Sequence, residues 1–409
     1  KKKEYKKYWS TSKKEKKSMP PLSVKDSENA FDLILSQNVS EKKIIDFLIS
    51  LNEKGPSVDE ILGAVKSIKK KAKIIEGFKN SFDTCGTGGD NAGTFNISTL
   101  TAIIISCCDV RVAKHGNKAV TSKSGSADVL TELGVNINID DKIVIKCLEE
   151  LNLCFLFAPN YHPILKNVAD IRKKIGYRTI FNLLGPLLNP VECEKQIIGV
   201  FQKNHLRLVA EVLKKMETKK VWVVCGDNEV DDNASFDELT TAGNNYIIEI
   251  NKKIFRTATK IIQIDPVNGS LVIDEKIIMK KSGYEKHFFY KFDPESTGAT
   301  IVQWKDAGDQ YDLPIEGLYS NPKYLIGGNS KKNAEIIIKI LSDKGDSSMQ
   351  EDEEFHAKKN TILFNCAAAL MVAEKTKSIA EGFEIVKDVI HSGAAFKKLT
   401  DLIKITNTQ

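Results

Sequence analysis

Apolar residues recur every three to four positions over residues 27–79. This spacing places the apolar side chains on one face of a helix. A break at Gly55-Pro56 divides the stretch into shorter helices. We therefore predict a small N-terminal helical domain over residues 27–80, completed by part of 165–192.

From residue 82 onward the pattern changes to short apolar runs, each ending in a polar or Gly-rich turn and followed by a longer helical pattern. We predict strands at residues 110–113, 153–157, 196–201, 220–224, 246–250 and 271–273. Helical spacing returns over residues 361–374 and 379–391. This alternation predicts a larger α/β domain over residues 81–402, with helices covering a largely parallel central sheet.

Three stretches interrupt the alternation, and we predict that they are insertions. They cover residues 228–235, 250–323 and 343–358. The last of them is rich in acidic and polar residues, as expected of a surface segment.

The net charge of +6 is concentrated at the beginning of the chain. Nine lysines oppose Glu4 and Glu15 within residues 1–17, a local charge of +7 that leaves the rest of the chain at −1. Nucleic-acid binding needs a basic folded surface with aromatic platforms, whereas a short Lys-rich end is typical of a solvated tail. We therefore predict a disordered tail over residues 1–26 and no nucleic-acid partner.

The composition is that of an ordinary globular protein, with 42% hydrophobic and 28% charged residues. No apolar run approaches the roughly 20 residues that span a bilayer, so we predict no membrane partner. The eight cysteines form no C-x-x-C pair and have no His at zinc-ligand spacing, which indicates reduced thiols in a cytoplasmic protein. The chain begins with Lys1 rather than Met, as expected of a shortened chain or a piece of a longer reading frame.

The first candidate site is the Gly-rich run Gly86-Thr87-Gly88-Gly89-Asp90, which follows the strand-like Phe82. Glycines let the backbone approach a ligand closely, and the helix opened by Asn96 would supply free N–H groups to an anion. The run is neither a P-loop nor a G-x-G-x-x-G loop, since no Gly-Lys-Ser/Thr follows and Asn91 takes the place of the last Gly. By itself it indicates either a phosphate site or an ordinary turn.

A second candidate site follows the predicted strand at 110–113. Lys114-His115-Gly116-Asn117-Lys118 is succeeded by hydroxyls, Lys123 and Gly125 before a helix predicted over 128–133. Lysines, small hydroxyl donors and free amides at the carboxyl end of a strand suit a ligand with several phosphates. Two such sites after successive strands predict one shared phosphorylated ligand.

At this point the sequence resembles the anthranilate phosphoribosyltransferase family over residues 30–245 and 324–402. Seven motifs in matching order carry the resemblance: residues 86–90 (GTGGD), 96–99 (NIST), 114–117 (KHGN), 122–128 (SKSGSAD), 155–159 (FLFAP), 178–190 (RTIFNLLGPLLNP) and the pair Asp237-Glu238. Closing phrases such as Ile390-His391-Ser392-Gly393 look more like those of fungal relatives, which predicts a eukaryotic source.

The resemblance implies transfer of the 5-phosphoribosyl group from phosphoribosyl diphosphate to the amine of anthranilate, in tryptophan biosynthesis. The residues implied in binding phosphoribosyl diphosphate are Gly86, Gly89, Asp90, Thr94, Asn96, Ser98, Thr99, Lys114, Asn117, Ser122 and Ser126. Anthranilate would contact Gly86, Asn117 and Arg172, whose planar guanidinium suits a carboxylate. Family members are usually homodimers joined through the helical part.

The resemblance also implies Mg²⁺ bound by Ser98, Asp237 and Glu238, and a catalytic set of Lys114, Asp237 and Glu238. Two carboxylates that meet a diphosphate form a plausible magnesium site. The residues before Asp237 depart from the family's usual lead-in, which leaves these ligands less secure than the Gly-rich run. Lys118 also stands where the family more commonly has Arg, so charge is kept but fork geometry is not.

In the implied reaction the amine displaces diphosphate from the anomeric carbon, so positioning and charge neutralisation matter more than a protein nucleophile. His115 is a candidate base, although the amine of anthranilate is already nucleophilic. Two alternatives stay open from the residues. One is a pyrimidine nucleoside phosphorylase-like enzyme, and the other is a catalytically silent binding subunit.

Overall fold

The computed structural model of the chain describes residues 20–90, 92–119, 122–216, 218–227, 235–252, 258–264, 271–276, 320–345 and 352–408. Residues 1–19 of the predicted tail lie outside the described residues. So do residues 228–234, most of 250–323, and residues 346–351 of the third predicted insertion.

Three helices form the N-terminal unit: α1 (Val24–Leu35), α2 (Glu41–Lys54) and α3 (Val58–Lys69). The hydroxyl of Ser57 accepts a hydrogen bond from the Glu60 amide at 3.2 Å, and the Glu60 carboxylate accepts one from the Ser57 amide at 2.8 Å. This reciprocal cap satisfies amides that the first turn of α3 leaves unpaired. Gly55 ends α2 with a φ of 79°, which favours glycine.

The apolar face of the N-terminal unit packs against later parts of the chain. Phe31 meets Phe181 edge to face at a centroid distance of 5.8 Å. The same buried cluster also includes Val168, Leu213 and Val221. The helical unit therefore shares its core with residues 165–192 and with one face of the sheet, and the boundary near residue 80 stays a prediction.

Within the described residues, nine strands form one mixed sheet. Their bounds are β1 Phe82–Gly86, β2 Val112–Gly116, β3 Leu153–Phe157, β4 Lys195–Gly199, β5 Lys220–Asp227, β6 Ser235–Phe236, β7 Asn245–Asn251, β8 Ala258–Ile264 and β9 Leu271–Lys276. The strand order is β3-β2-β1-β4-β5-β7-β8-β9, with β6 beside β5. Strands β1 to β5 are parallel and β6 to β9 are antiparallel to their neighbours. The predicted α/β fold with a largely parallel sheet is confirmed.

The other helices cover the sheet or connect its strands. They are α4 Ile97–Ile105, α5 Ser126–Glu132, α6 Asp141–Lys146, α7 Ala158–Tyr161, α8 Ala169–Ile175, α9 Phe181–Leu184, α10 Asn204–Lys215, α11 Ser330–Leu341, α12 Glu353–Val372, α13 Ile379–His391 and α14 Ala394–Thr406. A π-helical turn, Cys147–Leu151, extends α6, and three 3₁₀ turns lie at Pro163–Val168, Gly185–Leu187 and Pro322–Leu325. No helix in the described part of the chain is long and apolar enough to cross a bilayer.

Two strands extend further than predicted. β1 continues through Gly86, so this residue belongs to the strand and the turn begins after it. The strand predicted at 110–113 is displaced, because β2 includes Lys114 and His115. Both side chains are only 3% exposed. Polar side chains in a buried strand escape prediction because hydrogen bonds made in the folded protein permit their burial.

Helix α12 begins at Glu353, eight residues before the helical pattern predicted over 361–374. Asp352 caps it by accepting a hydrogen bond from the Phe355 amide at 2.7 Å. Its first turns use part of the acidic segment predicted as an insertion. Most of α12 is buried, and the helix packs against α4, β4 and β5. This position brings a late part of the chain to the carboxyl ends of the parallel strands.

Candidate active site

The site lies where the strand order changes direction around β1. Strand β1 connects to β2 on one side and pairs with β4 on the other, and Gly86 aligns with Gly199 at their ends. Ligands of open parallel sheets bind in the crevice at such a point. An added Cβ at Gly86 would overlap the Asp237 carboxylate, and one at Gly199 would overlap the Asp237 carbonyl. Glycine is therefore required at both strand ends because Asp237 lies so close.

Three carboxylates converge above these strand ends. Oxygen atoms of Asp90, Asp237 and Glu238 lie within 4.8 Å of one another, and we call these three residues the acidic cluster. The Gly88 amide donates to Asp237 Oδ2 at 2.7 Å. The Asp237 amide donates to Asp90 Oδ2 at 3.4 Å. The backbone of the Gly-rich run therefore helps to hold the cluster together.

The acidic cluster carries more negative charge than its own hydrogen bonds neutralise. Burial and the neighbouring Asp237 charge raise the pKa of Asp90 to about 8. The same causes raise the pKa of Glu238 well above its ordinary value. Glu238 Oε2 is buried and has no hydrogen-bond partner among the described residues. A cation placed among the three carboxylates would stabilise their ionised forms.

The donor set fits a hard cation such as Mg²⁺, which prefers oxygen ligands and keeps waters and phosphate oxygens. Asp237, Glu238 and Ser98 line one open cavity, together with Gly86 and Asn365. The structure thus brings together the three predicted metal ligands. It adds Asp90, which the sequence had assigned to phosphoribosyl diphosphate binding.

Lys114 lies next to the same cavity. Its Nζ donates to the Thr84 carbonyl and lies 3.3 Å from Ser98 Oγ. Lys114 therefore places a buried positive charge at the start of α4, beside two of the groups that line the cavity. This arrangement suits stabilisation of an anionic ligand.

The second loop comprises residues 117–125, of which the structure describes 117–119 and 122–125. Asp128 of α5 organises this described part. Asp128 Oδ2 accepts from the Ala119 amide at 2.8 Å and from the Gly125 amide at 2.9 Å. Asn117 and Ser122 are exposed on this loop, and Ser126 is partly buried, with its hydroxyl 3.4 Å from the Asn117 carbonyl. The predicted ligand-binding side chains of the second loop are therefore open to solvent.

Asn96 connects the second loop with a later part of the chain. Its Nδ2 donates to the Ser124 carbonyl at 3.2 Å, and its Oδ1 accepts from Asn333 Nδ2 at 2.9 Å. Thr94 forms an isolated antiparallel bridge with Ile326. Residues 94–96 are thus held between the second loop and the segment that leads into α11.

Two other predicted ligand residues differ in accessibility. Gly89, partly buried, has a φ of 70°, a conformation that favours glycine. Thr99 is 1% exposed, and its hydroxyl has no hydrogen-bond partner among the described residues. A contact between Thr99 and a ligand in the cavity would therefore involve its backbone.

Arg172 lies in the helical region rather than with the acidic cluster. It belongs to α8, which packs against α2 and the 3₁₀ turn Pro163–Val168. Its guanidinium carbon lies 5.3 Å from the centroid of the Phe181 ring. Burial lowers the pKa of Arg172 from its ordinary value. The guanidinium is thus partly buried beside an aromatic ring, and its planar fork is of the kind that suits a carboxylate.

The candidate base His115 packs against a second buried histidine, His162. The rings of His115 and His162 meet edge to face at 5.3 Å. Burial lowers the pKa of His115 to about 3 and that of His162 to about 4. Both imidazoles are therefore neutral near pH 7, and neither lines the cavity with the acidic cluster.

Sequence reasoning missed two buried polar residues near the site. Asp83 is fully buried, accepts from the His115 amide at 3.2 Å and from Asn189 Nδ2 at 2.7 Å, and has its pKa raised to about 6 by burial. Asn365 lies within the apolar helix α12 and lines the cavity. For Asn365 the available signal was a lone polar residue inside an apolar run, whereas the polar neighbours of Asp83 gave no such signal.

Comparisons with known proteins show which family the chain is similar to. A family model described as "Glycosyl transferase family, a/b domain" matches residues 79–273 and 311–396. An anthranilate phosphoribosyltransferase of Bacillus cereus (strain AH187) is 36% identical over 376 residues, which cover 92% of this chain and 91% of that protein. The enzyme of the same name from Petrotoga mobilis is 34% identical, with coverage of 94% and 93%.

Solved structures of anthranilate phosphoribosyltransferases share the fold. The Thermus thermophilus enzyme is 26% identical with a TM-score of 0.70, over 97% of this chain and 99% of that chain. The Saccharomyces cerevisiae enzyme in complex with PRPP and Mg is 25% identical with a TM-score of 0.71, with coverage of 96% and 95%. The compared relatives include bacterial and yeast proteins, so the predicted eukaryotic source stays a prediction.

Proposed function

The chain belongs to the anthranilate phosphoribosyltransferase family, and from this premise we propose how its residues share the work of the enzyme. It is a pentosyltransferase of tryptophan biosynthesis that uses Mg²⁺. It transfers the 5-phosphoribosyl group of phosphoribosyl diphosphate to the amine of anthranilate. The observation that carries the residue assignment is the convergence of three carboxylates over the glycines that end β1 and β4.

The donor occupies the crevice between the Gly-rich run and the second loop. Its anionic groups meet the backbone of Gly86 and Gly89, the Lys114 ammonium, and the exposed Asn117 and Ser122. Thr94, Asn96, Ser98, Thr99 and Ser126 complete the predicted donor contacts. Most of these residues carry no charge and contribute hydrogen bonds. Lys114 therefore supplies the buried positive charge that the protein offers to phosphoribosyl diphosphate.

Asp237 and Glu238 hold Mg²⁺, with Ser98 at the edge of the same cavity. When bound, the ion neutralises negative charge on the diphosphate leaving group. Asp90 lies close enough to share this role. Ionised carboxylates are required for it, and the raised pKa values of Asp90 and Glu238 predict that metal binding releases protons near neutral pH.

The acceptor is held by Arg172, with Gly86 and Asn117 on the side of the donor. Arg172 provides a planar fork for the anthranilate carboxylate. The amine needs no protein base, and His115 is too buried and too weakly basic for one, because burial lowers its pKa to about 3. His115 instead fixes strand β2 through its backbone hydrogen bond to Asp83.

Loss of anthranilate fluorescence tests the activity directly. Purified protein mixed with anthranilate, phosphoribosyl diphosphate and Mg²⁺ is expected to remove the fluorescence, and omission of the donor is the control. No decrease at high enzyme concentration would favour a catalytically silent subunit. Phosphate-dependent cleavage of thymidine would favour the nucleoside phosphorylase alternative.

The acceptor role of Arg172 has its own test. Arg172→Ala should raise the KM for anthranilate by roughly tenfold or more, because a charge-assisted bidentate contact is lost, while the KM for the donor stays near that of the wild type. Lys174→Ala is the matched control. Lys174 lies on the same helix as Arg172, and its substitution removes an exposed ion pair with Glu41 of α2. An unchanged KM for anthranilate in Arg172→Ala would contradict the assignment.

The predicted homodimer and cytoplasmic location belong to the same proposal. All eight cysteines are free thiols, which suits a reducing compartment. A homodimer should sediment at twice the mass of the 45.5 kDa chain. Analytical ultracentrifugation distinguishes this mass from that of a monomer.

A further inference from the structure

Regular secondary structure does not account for the position of the acidic pair, by which we mean Asp237 and Glu238. The two-residue strand β6 ends immediately before Asp237, and β7 begins only at Asn245. Within the segment 237–244, side-chain and backbone contacts from other elements must set the direction of the two carboxylates. These contacts come from two places, the glycines at the strand ends and helix α12.

On the side of the strands, the acidic pair meets glycines. The Gly88 amide donates to Asp237 Oδ2 at 2.7 Å. Gly86 and Gly199 leave no room between the strand ends and Asp237. The segment therefore cannot move closer to the sheet, but these contacts alone do not prevent it from moving away.

Helix α12 supplies the second set of contacts, in which Asn365 binds the peptide groups of Leu239. Its Oδ1 accepts from the Leu239 amide at 3.2 Å, and its Nδ2 donates to the Leu239 carbonyl at 2.7 Å. The second hydrogen of Nδ2 is used by the Thr361 carbonyl at 2.8 Å. A carboxamide paired with both polar groups of one residue reproduces the pattern of an antiparallel strand pair. Asn365 is 5% exposed, so water does not offer an equivalent partner.

Two neighbouring contacts strengthen this arrangement. Thr361, one helical turn before Asn365, places its hydroxyl 2.7 Å from that of Thr241. Asn245 pairs with the amide and carbonyl of Thr240 at 2.7 and 2.8 Å. The residues that follow the acidic pair are thus held by side chains at three successive positions, and Asn365 acts on the residue adjacent to Glu238.

We propose that Asn365 is a positioning residue for the metal-binding acidic pair: its buried carboxamide holds the Leu239 peptide and so presses Asp237 and Glu238 against the glycines of β1 and β4. This inference rests on the proposed function, because it assigns a role to the pair that holds Mg²⁺. Asn365 itself touches no reacting atom. Residues that orient metal ligands contribute to metal affinity as well as to stability.

The test measures metal binding and turnover in Asn365→Leu and Asn365→Asp. Leucine keeps the volume and removes every hydrogen bond, whereas aspartate keeps the shape and an acceptor but removes both donors. Binding of Mn²⁺ in the presence of phosphoribosyl diphosphate is followed by loss of the EPR signal of free Mn²⁺. Both variants should weaken Mn²⁺ binding by roughly tenfold or more. They should also lower kcat while the KM for anthranilate stays near the wild-type value.

Ser27→Ala is the control for general destabilisation. It removes one buried hydrogen bond, from Ser27 Oγ to the Glu60 carbonyl at 2.7 Å, within the helical unit. This variant should lower Tm without changing Mn²⁺ affinity. The proposal is overturned if the Asn365 variants lower Tm as Ser27→Ala does but bind Mn²⁺ like the wild type. If Asn365→Leu does not fold, Asn365→Asp decides by the same comparison.

Measurements on the wild-type protein distinguish failure of the proposed function from failure of the role of Asn365. Absence of both Mn²⁺ binding and anthranilate turnover in the wild type would remove the proposed function itself. Normal behaviour of the wild type, together with unaltered Mn²⁺ affinity in the variants, would remove only the role of Asn365.

Discussion

The acidic pair and the second loop serve one donor in the proposed function, yet they are held in place in different ways. The acidic pair is held by Gly86, Gly88 and Asn365, which lie more than 120 residues away along the chain. The second loop is held by Asp128, within nine residues of the amides that it binds. The position of the acidic pair therefore depends on the assembled tertiary structure, whereas the second loop is organised by residues close to it in the sequence.

The largest expected effect comes from removing charge from the acidic pair. Asp237→Asn or Glu238→Gln should lower turnover by about two orders of magnitude or more, because the leaving diphosphate loses its metal-mediated neutralisation. Steady-state kinetics over a range of Mg²⁺ concentrations measures this loss. Asp59→Asn, which alters an exposed ion pair with Lys215, is the control. Wild-type constants in both acidic variants would contradict the assigned roles.

A smaller loss of metal affinity is expected when the contacts that position the acidic pair are disturbed without a change of charge. Gly199→Ala introduces a Cβ that overlaps the Asp237 carbonyl, so the acidic pair must move. Mn²⁺ affinity should fall by roughly tenfold to a hundredfold, as for other changes that misplace metal ligands. Gly185→Ala is the matched control, because no atom lies within 4 Å of its added Cβ. Equal Mn²⁺ affinity in the two variants would show that the close approach at Gly199 does not position Asp237.

Loss of the hydrogen bonds by which Asp128 holds the second loop should weaken donor binding rather than metal binding. Asp128→Ala leaves the Ala119 and Gly125 amides without their acceptor, so the KM for phosphoribosyl diphosphate should rise by about tenfold, the equivalent of ~1.4 kcal/mol. Asp140→Ala removes the cap of α6, where Asp140 accepts from the Ile143 amide at 2.9 Å. The two variants should lose similar stability, by about 1 kcal/mol in urea unfolding. Only Asp128→Ala should change the KM for the donor.

The smallest expected effect on turnover comes from the buried Asp83 of β1, which should instead make stability depend on pH. Burial raises its pKa to about 6 from an ordinary value of 3.8, so the folded state favours the protonated acid. Its contribution to stability is therefore complete below pH 4 and decreases as the pH rises through 6. Asp83→Asn removes this dependence.

Urea unfolding at pH 4.5 and 7 measures the Asp83 effect. The free energy of unfolding of the wild type, relative to Asp83→Asn, should be larger at the lower pH. A difference that does not change with pH would mean that Asp83 ionises normally in the folded protein.

Much of the fold could be predicted from local patterns. The helices α1 to α3 and α13 and the strands β3, β5 and β7 lie where the apolar spacing places them, because each buries its apolar side chains in a hydrophobic cluster or, for β5 and β7, in two. The errors fall on Gly86, Lys114 and His115, which the pattern assigned to turns. They belong to strands because buried hydrogen bonds permit polar and glycine residues there.

The sequence by itself determined the family, and it predicted the two loops for phosphate binding and the Asp237-Glu238 pair for metal binding, since these depend on residues that lie close together along the chain. Only the tertiary structure decided that Asp90 joins the acidic pair, that His115 is a neutral packed side chain, and that Asn365 faces Leu239. The physical reason is distance. A carboxylate cluster, a shifted pKa and a buried carboxamide contact all arise from atoms that only folding brings together.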